Sequence, residues 1–184
     1  EQGFCMLKGS LKRPLVDEPR AFMTDRAVTT ELLVLDVDGL RATPGDDLQA
    51  MADRIVLQLP ELFHDCSYIV QASASLGIKK DTVSLHLFFL LDMPVHPKTL
   101  KDFLRSLNYQ SEFLAEQITL SANGQSLSCV LDPSVADNSK LIYIAPPKFV
   151  GVKDPYPNGR FIKVDRGSAV LKISSSLVGV NPEK

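Results

Sequence analysis

One segment, Glu31-Leu-Leu-Val-Leu-Asp36-Val-Asp38-Gly39, limits what this chain can fold into more than any other. Four consecutive apolar residues bounded by charged ones read as a short buried strand. A turn at Gly39 is expected to stop it, leaving two acids at its end. Residues two apart on an extended chain point to the same side. Asp36 and Asp38 therefore face one point, where two bare carboxylates repel unless a cation lies between them. A hard divalent ion with oxygen ligands resolves that conflict. The plain alternative is a pair of acids ending a strand in solvent.

Two later segments bear on that choice. In Val83-Ser84-Leu85-His86-Leu87-Phe88-Phe89, strand alternation puts Ser84 and His86 on one face. A histidine within so apolar a strand needs a hydrogen-bond partner. A backbone carbonyl would satisfy it. The preceding loop, with Ser73, Ser75, Lys79 and Lys80, instead suggests a surface that faces phosphate. Val130-Leu131-Asp132 is a second apolar run ending in an acid, and it supplies a third carboxylate of the kind used in two-metal phosphoryl-transfer sites. His64 follows a helix end, and His96 sits in a Pro-x-His-Pro turn; both read as structural.

The rest of the chain supplies the frame. Strands are expected near Phe4–Leu7, Arg20–Thr24, Cys66–Ala72, Val83–Leu91, Ser126–Leu131 and Leu141–Ala145. Asp46 is placed as the cap of a helix running to about Phe63, with Leu48, Met51, Ile55, Leu59 and Leu62 on one face. A second helix starts at Pro97, carries Leu100, Phe103, Leu104 and Leu107 inward, breaks near Asn108 and ends near Gln117. The alternation in Phe161–Val164 and Ala169–Ile173 predicts a hairpin, followed by a linker from Ser174. Strands interleaved with two helices give an α+β class with a mostly antiparallel sheet.

Bulk properties narrow the partners. Across 184 residues the formal net charge is −2, which argues against a protein that merely coats nucleic acid through phosphate neutralisation. A small basic groove on a neutral protein remains compatible with an enzyme. Cys5, Cys66 and Cys129 are scattered, with no C-x-x-C pair, so neither a structural zinc site nor a disulfide framework is expected. That pattern fits a reducing, cytoplasmic setting. No apolar run reaches the 18 or so residues of a membrane span, so no membrane partner is expected.

The order of motifs resembles a known group. A hydrophobic run with Asp36-x-Asp38, then Ser84-x-His86 on a strand, then hydrophobic–Asp132 is similar to the three motifs of the archaeo-eukaryotic primase superfamily. Gln71-Ala-Ser-Ala-Ser75, Ser84–Leu91, Leu131-Asp-Pro-Ser-Val135 and Leu141-Ile-Tyr-Ile-Ala-Pro-Pro-Lys-Phe149 resemble the replication proteins of phages, plasmids and integrated elements. The resemblance covers roughly residues 30–150.

It implies a primase–polymerase catalytic core: an RRM-like, mostly antiparallel sheet beside a smaller N-terminal α/β part, within one domain that spans 1–184 and belongs to a longer replication protein. It also implies that Asp36, Asp38 and Asp132 are catalytic and bind two Mg²⁺ or Mn²⁺ ions. His86 and Ser84 would contact a nucleoside triphosphate, with Ser73, Ser75, Lys79, Lys80 and Lys140 nearby. Single-stranded DNA or a primer–template would be the partner, with a helicase domain or protein as a further one. The sequence departs from the group in having no glycine-rich turn just before the His86 strand and no zinc-binding insert.

Two other readings stay open. Leu32-Leu-Val-Leu-Asp36-Val-Asp38-Gly39 also fits the first motif of haloacid-dehalogenase-like phosphatases, although the following chain lacks their repeated β-α units. A non-catalytic replication-initiation module that binds an origin would keep the fold with idle acids.

Overall fold

The computed structural model describes residues 5–79 and 81–176. Its centre is a pair of long antiparallel strands, β2 (Thr30–Arg41) and β4 (Thr82–Val95). β3 (Tyr68–Ala72) pairs with the other side of β4, and β8 (Phe161–Val164) pairs with β3. All of these pairings are antiparallel, in the spatial order β2-β4-β3-β8. The free edge of β2 is also used. Val37 and Leu131 form an antiparallel bridge, flanked by hydrogen bonds from Asp38 N to Val130 O (3.0 Å) and from Asp132 N to Asp36 O (2.9 Å). The segment around Leu131 thus acts as a minimal fifth strand. In chain order the core reads β2, helix, β3, β4, helix, Leu131 segment. In space these strands run fourth, first, third, second, which is the split β-α-β arrangement.

Alternation decides what each face does. Leu33, Leu35 and Val37 on β2, with Leu85, Leu87 and Phe89 on β4, are at most 1% exposed and form the core. Helix α1 (Leu48–Val56) covers this side with Leu48, Met51, Ala52, Ile55 and Val56, and α2 (Pro97–Gln110) with Leu100, Phe103, Leu104 and Leu107. Phe63 anchors the junction, edge-on to Phe89 at 5.2 Å between ring centroids and stacked near Phe103 at 6.3 Å. The opposite face of the sheet carries Asp36, Asp38, Ser84 and His86. A two-stranded ribbon, β1 (Cys5–Leu7) with β7 (Leu141–Tyr143), reaches this face.

The α+β class and the antiparallel sheet agree with the sequence reading; several local expectations do not. Gly39 does not end β2. The strand runs on to Arg41 through a register shift between Asp38 and Leu40, and Gly39 takes φ +84°, which a residue with a Cβ tolerates poorly. Arg20–Phe22 is a 3-10 turn rather than a strand. The first helix is capped by Asp47, whose Oδ1 accepts from Ala50 N at 2.8 Å, and not by Asp46. It ends at Val56, because Pro60 forces a separate 3-10 turn over Glu61–Phe63.

The second helix breaks at Ser111, which caps α3 (Glu112–Ala115), and not at Asn108. The strand expected over Ser126–Leu131 divides. Leu127–Ser128 (β6) pairs with Thr119–Leu120 (β5), and Leu131 turns to β2. The C-terminal hairpin is absent: Leu171 makes a parallel bridge to Leu91, and Ile173–Ser175 is a 3-10 turn. Phe4 and most of the expected linker after Ser176 lie outside the described residues. Among the described residues, the N-terminal strand β1 is tied to β7.

Asn108 is fully buried for a reason that its helical position hides. Its Nδ2 donates to Leu104 O and Leu131 O, both at 2.9 Å, and its Oδ1 accepts from Leu131 N at 3.1 Å. One amide from α2 thus satisfies both backbone groups of Leu131, which no strand pairs with on that side. Asn108→Ala leaves a buried N–H and C=O unpaired, at about 1–3 kcal/mol each before relaxation. Urea unfolding of this variant should show a loss of about 2–4 kcal/mol. A loss under 1 kcal/mol would mean that Asn108 is not what holds the Leu131 segment.

Candidate active site on the open sheet face

Strand register assembles the site. Asp36 lies opposite His86, His86 opposite Gln71, and Gln71 opposite Phe161. The Val37–Leu131 bridge puts Asp132 opposite Asp36 on the same face. The result is a row across five strands: Asp132, Asp36, His86, Gln71, Phe161. The next row holds Asp38 opposite Ser84, with Ser73 bonded through its backbone to Ser84 O at 3.1 Å. All three predicted acids therefore share one face, together with both predicted β4 residues.

Gln71 is the residue that sequence reasoning left without a role. It is 4% exposed, and its Nε2 donates to Tyr143 O at 2.9 Å. That bond turns Oε1 toward His86 Nδ1, 3.0 Å away. Since an amide oxygen only accepts, Nδ1 carries the proton and Nε2 is the working nitrogen. Nε2 lies 3.4 Å from Asp36 Oδ1, a charge pair when the ring is protonated. The clue was present in the sequence: Gln71 is a polar residue within Tyr68-Ile-Val-Gln-Ala, as His86 is within its own strand.

Beside His86 the hydroxyls cluster. Ser73 Oγ lies 2.6 Å from Ser84 Oγ, Ser75 Oγ lies 3.0 Å from Ser84 Oγ, and Ser73 and Ser75 are 3.1 Å apart. They line a cavity of about 570 Å³ whose other walls include Tyr143, Pro146 and Pro147. Such a volume suits a small-molecule ligand. The turn bearing Ser73 and Ser75 is pinned from below by Arg160, 6% exposed, which donates to Ser73 O at 2.7 Å and pairs with Asp154 at 2.6 Å. Arg160 also lies 4.8 Å from the centre of the Phe149 ring. This clamp was not visible in the sequence, because Arg160 lies 87 residues beyond Ser73.

The remaining candidates spread around the row. Asp38 is exposed and lines a separate recess of about 180 Å³ with Lys79, Thr82, Ser128 and Cys129. Burial and the nearby Asp132 push the Cys129 thiol up, so it is a poor nucleophile. Lys80 lies outside the described residues. Asp132 caps the 3-10 turn Pro133–Ala136. Its oxygens accept from Ser134 N (2.8 Å) and Ser134 Oγ (2.6 Å), and Lys140 Nζ lies 3.5 Å away. Partial burial alone would raise the Asp132 carboxyl. The Ser134 hydrogen bonds and the Lys140 charge outweigh that and hold it below the usual carboxylate range.

His64 Nε2 bonds Leu59 O at 2.8 Å, and His96 Nδ1 accepts from Lys98 N at 3.2 Å as the cap of α2. Both are structural, as expected. Oxygen donors on one face suit a hard divalent ion. Among the described residues, however, no three of the His, Cys, Asp and Glu side chains gather into a ready metal centre. Asp132 is turned toward Ser134 and Lys140, and would have to release Lys140 to act as a ligand beside Asp36.

No family model matches the chain, and no curated protein or solved structure matches it.

Near Asp137, Lys8 is lowered to about 8 by burial, only partly offset by that carboxylate. A lysine depressed in the folded state binds fewer protons there than in the unfolded chain between about pH 8 and its ordinary value near 10.5. Stability from this group therefore rises with pH across that window and is lowest below it. Lys8→Met should raise Tm at pH 7, and the gain should shrink steadily from pH 8 to 10.5 in thermal melts. A gain independent of pH would refute this electrostatic account.

Proposed function

We propose that this chain performs template-directed nucleotidyl transfer, as a DNA primase and/or DNA polymerase, in replication of a phage or mobile element. The observation that carries the reading is the cross-strand row Asp132–Asp36–His86–Gln71, set beside a cavity walled by serine hydroxyls. The motif order resembles primase–polymerases, and the split β-α-β arrangement is compatible with the RRM-like sheet which that resemblance implies.

Each side chain has a task in this reading. The Ser73, Ser75 and Ser84 hydroxyls give up their mutual bonds to phosphate oxygens of a nucleoside triphosphate. With Nδ1 donating to Gln71, Nε2 of His86 becomes a donor to the phosphates when the ring carries its second proton. Lys140 is the nearest cation to Asp132 and offsets charge at the same end of the row. Asp36, Asp38 and Asp132 would hold Mg²⁺ or Mn²⁺. Bound there, such ions would lower the pKa of an attacking 3′ hydroxyl and steady the departing pyrophosphate. The protein's own share is position and charge, and no covalent intermediate is needed.

The phosphatase alternative loses ground to topology. In open α/β sheets, sites lie at the carboxyl ends of parallel strands. Asp36 here lies within a 12-residue strand of an antiparallel sheet.

The test is Mn²⁺-dependent incorporation of dNTPs on a primed template. Asp36→Ala with Asp38→Ala should abolish it. His86→Ala should lower the turnover by about 100-fold, on the scale of removing one charge-stabilising donor. Unchanged incorporation in the double variant would sink the proposal. Gln71→Leu should lower turnover in the same direction as His86→Ala, because it frees the imidazole to rotate.

A further inference from the structure

The net charge of −2 conceals an uneven distribution. The turn Asp137–Lys140 is surrounded by cations from four parts of the chain. Arg20 Nε donates to Ser139 O at 2.6 Å. Lys8 is close enough for Asp137 to influence its titration, and Arg26 and Lys101 both act on Asp137 electrostatically. Arg26, Lys98 and Lys101 line one pocket of about 230 Å³ with His96, Asp137 and Asn138. Lys140 N bonds Asp137 O at 3.1 Å, and its Nζ lies 3.5 Å from Asp132 Oδ2.

Among the described residues, none of Lys8, Arg20, Arg26, Lys98 and Lys101 has a carboxylate within 4.0 Å. Asp137 spends its hydrogen bonds on Ser139, whose N and Oγ donate to it at 2.9 and 2.8 Å. Lys140 is paired with Asp132, and Asp137 is the carboxylate that acts on the other cations, so Lys8, Arg20, Arg26, Lys98 and Lys101 leave a net positive surface. The N-terminal end of the 14-residue α2 adds a positive dipole end. Solvated lysines usually repel and splay apart. Here buried Asn138, held by Val28 O at 2.7 Å, fixes the turn about which they converge.

We infer that this basic turn binds the phosphodiester backbone of a single-stranded DNA template and leads it to the acid row. The inference rests on the nucleotidyl-transfer reading for its partner, but the surface stands on its own charges. The turn lies one 3-10 helix, about 8 Å, from Asp132. Arg26 precedes β2, and His96 follows β4 directly, so the pocket sits at the sheet end where β2 starts. By strand rise that is about 20 Å from Asp36 to Thr30.

The experiment uses a fluorescein-labelled oligo(dT) and anisotropy titrations at several salt concentrations. Lys98→Gln with Lys101→Gln should weaken binding about tenfold at 0.1 M salt. It should also flatten the slope of log K against log salt by about 1.4, for two lost phosphate contacts on a single strand. Arg26→Gln alone should act in the same direction, which guards against a folding artefact in the double variant. Arg54→Gln with Lys163→Gln removes as much charge from α1 and β8 and should change little. Equal losses in both double variants, or an unchanged salt slope in the first, would overturn the inference.

Incorporation separates this surface from the catalytic reading. If binding depends on Lys98 and Lys101 while no incorporation occurs, the backbone track stands and the acid row is not a polymerase site. Incorporation with binding indifferent to these lysines would overturn the track alone.

Discussion

The antiparallel pairing of β2 with β4 is the constraint from which the rest follows. It sets Asp36 against His86 and Asp38 against Ser84, and it turns Leu33, Leu35 and Val37 the other way into the core. A slip of one residue would exchange those faces, burying carboxylates and exposing leucines. The hydrophobic cost of that exchange fixes the register, so the core that holds the fold together also keeps the polar row aligned.

That coupling explains why part of the site was legible in the sequence. The apolar run Leu32–Leu35 and the pattern Ser84-x-His86 are local signals, and alternation alone puts the right side chains on one face. Asp132 was found by the same logic, as an apolar run ending in an acid. The structure puts it opposite Asp36, though through a single bridge and not a full strand.

What escaped the sequence was decided by partners far along the chain. Gln71 orients His86 only because Tyr143, 72 residues later, offers a carbonyl. Asn108 looked like a helix break, since asparagine is a poor helix former, yet it is retained because Leu131 has backbone groups that nothing else can satisfy. The C-terminal hairpin failed for a similar reason. Phe161–Val164 found the free edge of β3, and Leu171 found Leu91, so the two alternating runs never paired with each other. Periodicity states that a segment is extended, and it leaves open which edge the segment joins.

The charge on the site face is balanced by neighbours, not by composition. Asp36 has His86, and Asp132 has Ser134 and Lys140. Asp38 is exposed and has no ion pair among the described residues. Three carboxylates on one face would repel strongly if all were bare, and the Lys140 charge offsets part of that at Asp132. If the proposed ions were held there, Asp132 would turn from Lys140 toward Asp36, which lies opposite it across the Val37–Leu131 bridge. Lys140 would then lose its carboxylate partner, which a phosphate could replace. Binding of an anionic ligand and of a cation would then favour each other through a single lysine, because each removes the charge that opposes the other.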